Sequence, residues 1–192
     1  MNPTDLLNIL HTTEKLKDTT RHSYTSGGRH ESVAEHTFRL ALTAYFMKDE
    51  FPEADIDKVI LMCLIHDLGE AFTGDIPAFE KTQSDEETEK QLLMDWLGSL
   101  PCPYNAELIP LFEEMAERKT LEAKLFKALD GLEAVIQHNE APLSTWSANE
   151  YDVNLTYAED RCAFSPYLKE LRAIVKEDTI QKIKTEQDRN LP

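Results

Sequence analysis

A chain of 192 residues with 41% hydrophobic residues and a formal net charge of −16 has room for one domain with a substantial core, and its composition does not indicate a disordered chain. The carboxylate excess counts against a nucleic-acid polymer as partner, because a phosphate polymer would meet a repulsive average field. Cys63, Cys102 and Cys162 form no C-x-x-C pair and the longest apolar run, Val59 to Ile65, is far too short for a membrane span; the expectation is a soluble cytoplasmic protein without disulfides.

No internal repeat or low-complexity linker appears, and only 6 Gly and 9 Pro interrupt segments of helical periodicity, which predicts an all-α fold. A first helix is expected from Thr4 to Leu16, with Leu6, Leu7, Ile9 and Leu10 on its buried side. Lys17 to Glu31 is polar and contains glycine, and reads as a loop passing close to a site. Ser32-Val-Ala-Glu35 is a capping box that starts a helix at Val33, with His36 about one turn in and Leu40, Ala44 and Met47 along its apolar side. Asp55 or Asp57 opens a third helix whose run Val59 to Ile65 is apolar on every face, as in a helix surrounded by others. Thr73-Gly74-Asp75-Ile76-Pro77 ends it. Further helices are expected near 84–97, 106–118, 120–137 and 166–184, with a Pro-rich turn at 101–103 and irregular structure around 140–158.

Directly after the apolar run, the third helix is expected to continue as His66-Asp67-Leu68-Gly69-Glu70. At about 100° of rotation per residue these three ionisable side chains can address one point. An unpaired carboxylate is costly to bury, so a cation or a hydrogen-bonded partner is required. A divalent metal would satisfy Asp67 and neutral His66 together. A His-Asp core pair capped by an arginine would do so too, and a two-residue motif alone arises by chance. Two more polar residues in half-buried helical surroundings, His36 and Asp130, turn the dipeptide into a dispersed set.

That set, His36, then His66-Asp67, then Asp130, resembles the H…HD…D pattern of the HD-domain phosphohydrolases. The resemblance runs from about Arg21 to Glu133 and is carried by Glu31-Ser-Val-Ala-Glu-His36, Ile65-His-Asp-Leu-Gly-Glu70, Gly74-Asp75-Ile-Pro77 and Lys127-Ala-Leu-Asp130. Within the superfamily it is most similar to the bacterial 5′-deoxynucleotidases and the related eukaryotic HD domain-containing protein 2. It implies an HD-domain helical bundle: a single domain over 1–192, with a motif-bearing core at about 21–139 and C-terminal helices at about 140–187 packed on it. It also implies that His36, His66, Asp67 and Asp130 hold one divalent ion, Mn, Co, Fe or Zn. Two nitrogens and two carboxylates suit octahedral coordination with open positions for a water and a phosphoryl oxygen, whereas a structural zinc is closed by four protein ligands, often thiolates.

By the same resemblance Glu70 orients or deprotonates the attacking water, and Asp75 assists proton transfer to the leaving 5′-oxygen. Arg21 corresponds to a phosphate-binding arginine. The bacterial enzymes follow it with a tryptophan that packs on the sugar; here His22 stands there, with Tyr24 as the other residue for that role. Lys127, three residues before Asp130, is either a phosphate contact or a solvated helix lysine. His11, His30 and His138 read as surface residues, Trp96 and Trp146 as core or interface anchors, and Asp85 to Glu89 as the solvated first turn of a helix. The implied activity is hydrolysis of a nucleoside 5′-monophosphate, preferably a deoxyribonucleotide, by a homodimer with a small-molecule nucleotide as substrate. The alternatives are a phosphohydrolase of a triphosphate, cyclic nucleotide or alarmone, a non-catalytic metal-binding regulatory module, and a structural bundle with a closed zinc. Glu70 and Asp75 count against the regulatory module, for which ligands alone would suffice.

Overall fold

The structure is a computed structural model and describes residues 1–77 and 80–189. Its helices are α1 (Pro3–Glu14), α2 (Val33–Phe46), α3 (Ile56–Ile65), α4 (Glu70–Thr73), α5 (Gln83–Ser99), α6 (Tyr104–Glu117), α7 (Leu121–Glu140), α8 (Glu150–Thr156), α9 (Glu159–Cys162) and α10 (Pro166–Arg189). Among the described residues the one sheet is β1 (Thr20–Tyr24) paired with β2 (His30–Ser32), so the segment expected as a loop is a hairpin. Its tip is closed by Thr25 N–H donating to Arg29 O at 2.8 Å and Gly28 N–H donating to Thr25 O at 2.9 Å. The chain folds as two compact units, the first comprising Met1–His22 and Glu31–Phe126, the second Ser23–His30 and the chain from Lys127 onward.

In the first unit, α2 begins as the capping box requires: Glu35 N–H donates to Ser32 Oγ at 3.3 Å, and Ser32 N–H donates to Glu35 Oε2 at 2.9 Å. Asp55 caps α3 through Lys58 N–H at 3.1 Å. α2 and α3 pack together, and Val33, Leu40 and Ala44 on one and Val59, Met62 and Cys63 on the other are wholly buried. Each of the larger of these side chains contributes about 1.5–3 kcal/mol by leaving water. α5 packs on α6 and on α4.

Two expectations about burial fail here. Leu6, Leu7 and Leu10 of α1 are exposed, because no element of the unit covers that side of a helix whose contacts are chiefly with the turn that follows it. α3 is not surrounded either: Leu61 and Leu64 are exposed, as are Phe38, Leu42, Tyr45 and Phe46 of α2. The α2–α3 pair therefore has one buried and one uncovered apolar side.

In the second unit, α10 packs on α8, α9 and the 3-10 turn Leu143–Thr145. Arg172 of α10 is 2% exposed and donates from Nε to Tyr157 O at 2.8 Å and from Nη2 to Asn154 O at 2.9 Å, satisfying carbonyls at the end of α8. His138, expected at the surface, is buried with Nδ1 3.4 Å from Glu150 Oε1, and its carbonyl accepts the Trp146 indole N–H at 3.0 Å.

Candidate metal centre

His36 lies one turn into α2 and is wholly buried. His66 and Asp67 come from the turn after α3, which stops at Ile65 instead of running on through Glu70. Beyond Ile65 the backbone bonds tighten to three-residue spacing: Leu68 N–H to Ile65 O, Glu70 N–H to Asp67 O and Phe72 N–H to Gly69 O are all 3.0 Å. Asp67 and Glu70 are carried on this tightened turn, close enough for the Asp67 charge to act on Glu70.

His66 Nδ1 is 2.9 Å from Cys63 O. A carbonyl only accepts, so Nδ1 carries a proton and Nε2 is the ring nitrogen left to face the site. That Nε2 lies 2.9 Å from Asp67 Oδ2, and His36 Nε2 lies 3.9 Å from the same oxygen. The two imidazoles meet edge to face with centroids 5.3 Å apart, and the Phe126 ring packs against His66 at 5.2 Å. The donor atoms of His36, His66 and Asp67 all lie within 4.8 Å of one another, a set able to hold a divalent ion.

The electrostatics of the flank point the same way. Glu70 is 8% exposed and its Oε2 finds no hydrogen-bond partner among the described residues. Burial first, then the charges of Asp67 and Asp75, push its carboxyl up to about 10, against the opposing pull of Arg21 and His66. Asp75 is also raised, by burial and by Asp67, while Arg21, His22 and Lys81 pull it down. Arg21 on β1 has its Nε 3.6 Å from Glu31 Oε2, with both side chains largely buried. Asp67, Glu70 and Asp75 crowd together with too little positive charge to ionise them all, and an added cation is what this arrangement accommodates. The residues present therefore fit a divalent metal.

An HD domain family model matches residues 13–172. This chain belongs to the HD domain family. As an HD-domain chain it is 34% identical over 144 residues to a Bos taurus protein named 5′-deoxynucleotidase HDDC2, covering 71% of this chain and 67% of that one. The Homo sapiens protein of the same name is 34% identical over 123 residues, covering 61% of this chain and 57% of its own length. The fold of this chain is shared with a solved structure from Magnetospirillum magnetotacticum described as a predicted metal-dependent phosphohydrolase, at a TM-score of 0.76, 24% identity and 93% coverage of both chains.

Of the residues singled out in the sequence, His36, His66, Asp67, Glu70, Asp75, Arg21 and His22 belong to the first unit of this HD domain chain, and Asp130 and Lys127 to the second. Lys127 Nζ donates to Asp130 Oδ2 at 2.7 Å. Tyr24 stacks against His30 with centroids 4.0 Å apart. Sequence reasoning missed Glu31, Lys81 and Glu89. Glu31 lay inside the quoted motif but gained a role only when the hairpin set it beside Arg21. Glu89, read as part of a solvated acidic turn, is half-buried and accepts from Lys81 Nζ at 2.7 Å, a pairing of residues eight apart across a helix start that no periodicity signals.

Proposed function

We propose that this chain is a metal-dependent phosphomonoesterase that hydrolyses nucleoside 5′-monophosphates, preferentially the deoxy series, to nucleoside and inorganic phosphate. The observation that carries the reading is the convergence of His36 Nε2 and His66 Nε2 on Asp67 Oδ2, flanked by two carboxyls of raised pKa. The curated relatives named 5′-deoxynucleotidase support the substrate class.

In this reading His36, His66 and Asp67 hold the ion, Mn, Co, Fe or Zn, and the family pattern adds Asp130. The ion when bound supplies Lewis acidity toward a phosphoryl oxygen and lowers the pKa of a water. Cys63 O keeps His66 in the ligating tautomer. Glu70, on the same turn as Asp67, takes the proton of the attacking water once added positive charge has brought its pKa down. Asp75, held protonated more readily than an exposed aspartate, donates to the leaving 5′-oxygen. Arg21, kept in place by Glu31, opposes the charge of the transferring phosphoryl group, with Lys127 as a further phosphate contact and His22 on the sugar.

The whole chain is proposed to act as one HD domain, since the family model spans residues from both units. A homodimer is supported by the uncovered Phe38, Leu42, Tyr45 and Phe46. No helix among the described residues is long and apolar enough to cross a membrane, and a cytoplasmic location is part of the proposal. The test is phosphate release from a panel of ribo- and deoxyribonucleoside 5′-monophosphates, using chelator-stripped protein with and without Mn, Co or Zn. Metal-dependent release favouring the deoxy series supports the reading; silence across the panel with metal bound overturns it.

A further inference from the structure

Lys81 stands just before α5, and its ammonium is 2.7 Å from Glu89 Oε2. The same oxygen accepts from the Thr73 hydroxyl at 3.3 Å. Glu89 in turn lies against Gly69, where an added Cβ would come within 2.8 Å of its Cγ. Gly69 sits between Asp67 and Glu70 in the chain, so this close approach holds a cation beside the acidic turn. An ammonium has three donors, and among the described residues Glu89 is its hydrogen-bond partner. The Lys81 side chain keeps 19% exposure, which leaves its remaining donors able to meet an incoming anion. Burial pulls the Lys81 pKa down, but the bond to Glu89 and the charges of Glu89, Glu70 and Asp67 leave it raised, so the ammonium stays charged.

We propose that Lys81, positioned by Glu89, binds the phosphate of the substrate through its non-bridging oxygens; the assignment rests on the phosphomonoesterase reading. A phosphate approaching Asp67, Glu70 and Asp75 meets like charges, and the Arg21 guanidinium held by Glu31 leaves room for a second cation to offset them. A lysine tied to a counter-ion outside that trio offers positive charge to the anion without collapsing onto the acids.

The test is calorimetric titration of inorganic phosphate into the Mn-loaded protein, comparing wild type with Lys81→Met, which keeps the apolar stem and removes the charge. Loss of a charge-assisted hydrogen bond predicts phosphate binding weaker by about tenfold or more, with Mn content unchanged and with Lys81→Arg recovering most of the loss. Phosphate affinity within about twofold of wild type overturns the assignment. Should Lys81→Met fail to fold, amine labelling of the wild type read by mass spectrometry takes its place. Saturating phosphate slows labelling at Lys81 but not at Lys119, whose side chain is 77% exposed, and an unchanged rate at Lys81 overturns the proposal. The two failures separate cleanly. Weakened phosphate binding in a protein that turns over no nucleotide keeps Lys81 and removes the nucleotidase reading, whereas turnover with unaltered phosphate affinity does the reverse.

Discussion

His66 donates from Nδ1 to the Cys63 carbonyl three residues earlier, at 2.9 Å, and this bond turns its Nε2 toward Asp67. Both groups of the His-Asp pair are thereby aimed before any ion arrives. Ordering that would otherwise be lost on binding is already built into the turn.

Asp67→Asn keeps the shape of the side chain but removes the charge on which both imidazoles converge. Metal affinity should fall by more than the roughly 10- to 100-fold typical of losing an outer partner. A competitive chelator titration reads it; an affinity unchanged from wild type would place the ion elsewhere.

Glu70→Gln should retain metal and fold while hydrolysis drops by about 10²–10⁴-fold, the usual range for a positioned acid–base group. Turnover close to wild type with metal bound would remove Glu70 from the chemistry.

The raised Glu70 carboxyl also predicts how the metal-free protein responds to pH. Its pKa rises from an ordinary 4.5 to about 10 in the fold, so between those values the folded state binds more protons than the unfolded state. The associated stability is fully present below the ordinary value and is lost as pH rises through the folded one. Asp75 is shifted in the same direction. Urea denaturation of stripped protein should show stability declining as pH rises from neutral, and Glu70→Gln should flatten that slope. A stripped protein that gains stability over this range in parallel with the variant would contradict the assignment.

In the second unit, Gly131 permits the close approach of α7 to the start of α9. A Cβ at Gly131 would lie 2.6 Å from Ala158 Cβ and 3.1 Å from Arg161 Nη1. Gly131→Ala should cost about 1–3 kcal/mol, since the nearest obstacle is a methyl group fixed to the backbone. Thermal unfolding measures it, and a melting temperature equal to wild type would mean that the two helices can part at little expense.

Phe46 is 78% exposed and Phe38 63%. If the uncovered side of α2 is the dimer interface, Phe38→Asp with Phe46→Asp should yield monomers in sedimentation experiments at concentrations where wild type is paired. A wild type that sediments as a monomer ends the homodimer proposal.

Much of this was legible in the sequence because the signals were local. The capping box at Ser32 and Glu35 starts α2 where expected, and His36 follows one turn in as a buried residue. The adjacency of His66 and Asp67 kept their side chains within reach of each other, and they meet at 2.9 Å. What could not be read depended on contacts distant in sequence. The apolar run of α3 signals burial on every face, yet Leu61 and Leu64 are exposed because periodicity cannot tell which face finds a neighbour. The α-helical pitch assumed through Glu70 gave way after Ile65 to a tighter turn with three-residue backbone bonds. Lys81 and Glu89 needed the α4–α5 packing to become partners.

α2 carries an imidazole turned inward at His36 and, two residues later, a phenyl ring turned outward at Phe38. Inner and outer surfaces of this helix are one rigid object, because backbone hydrogen bonds tie every turn to the next. Whatever clasps the outer stripe also restrains the rod from which the imidazole hangs. Surface chemistry along Phe38, Leu42 and Tyr45 is therefore mechanically adjacent to the side that carries His36, and solubilising this helix by polar substitution acts on the rod that positions that imidazole rather than on inert exterior.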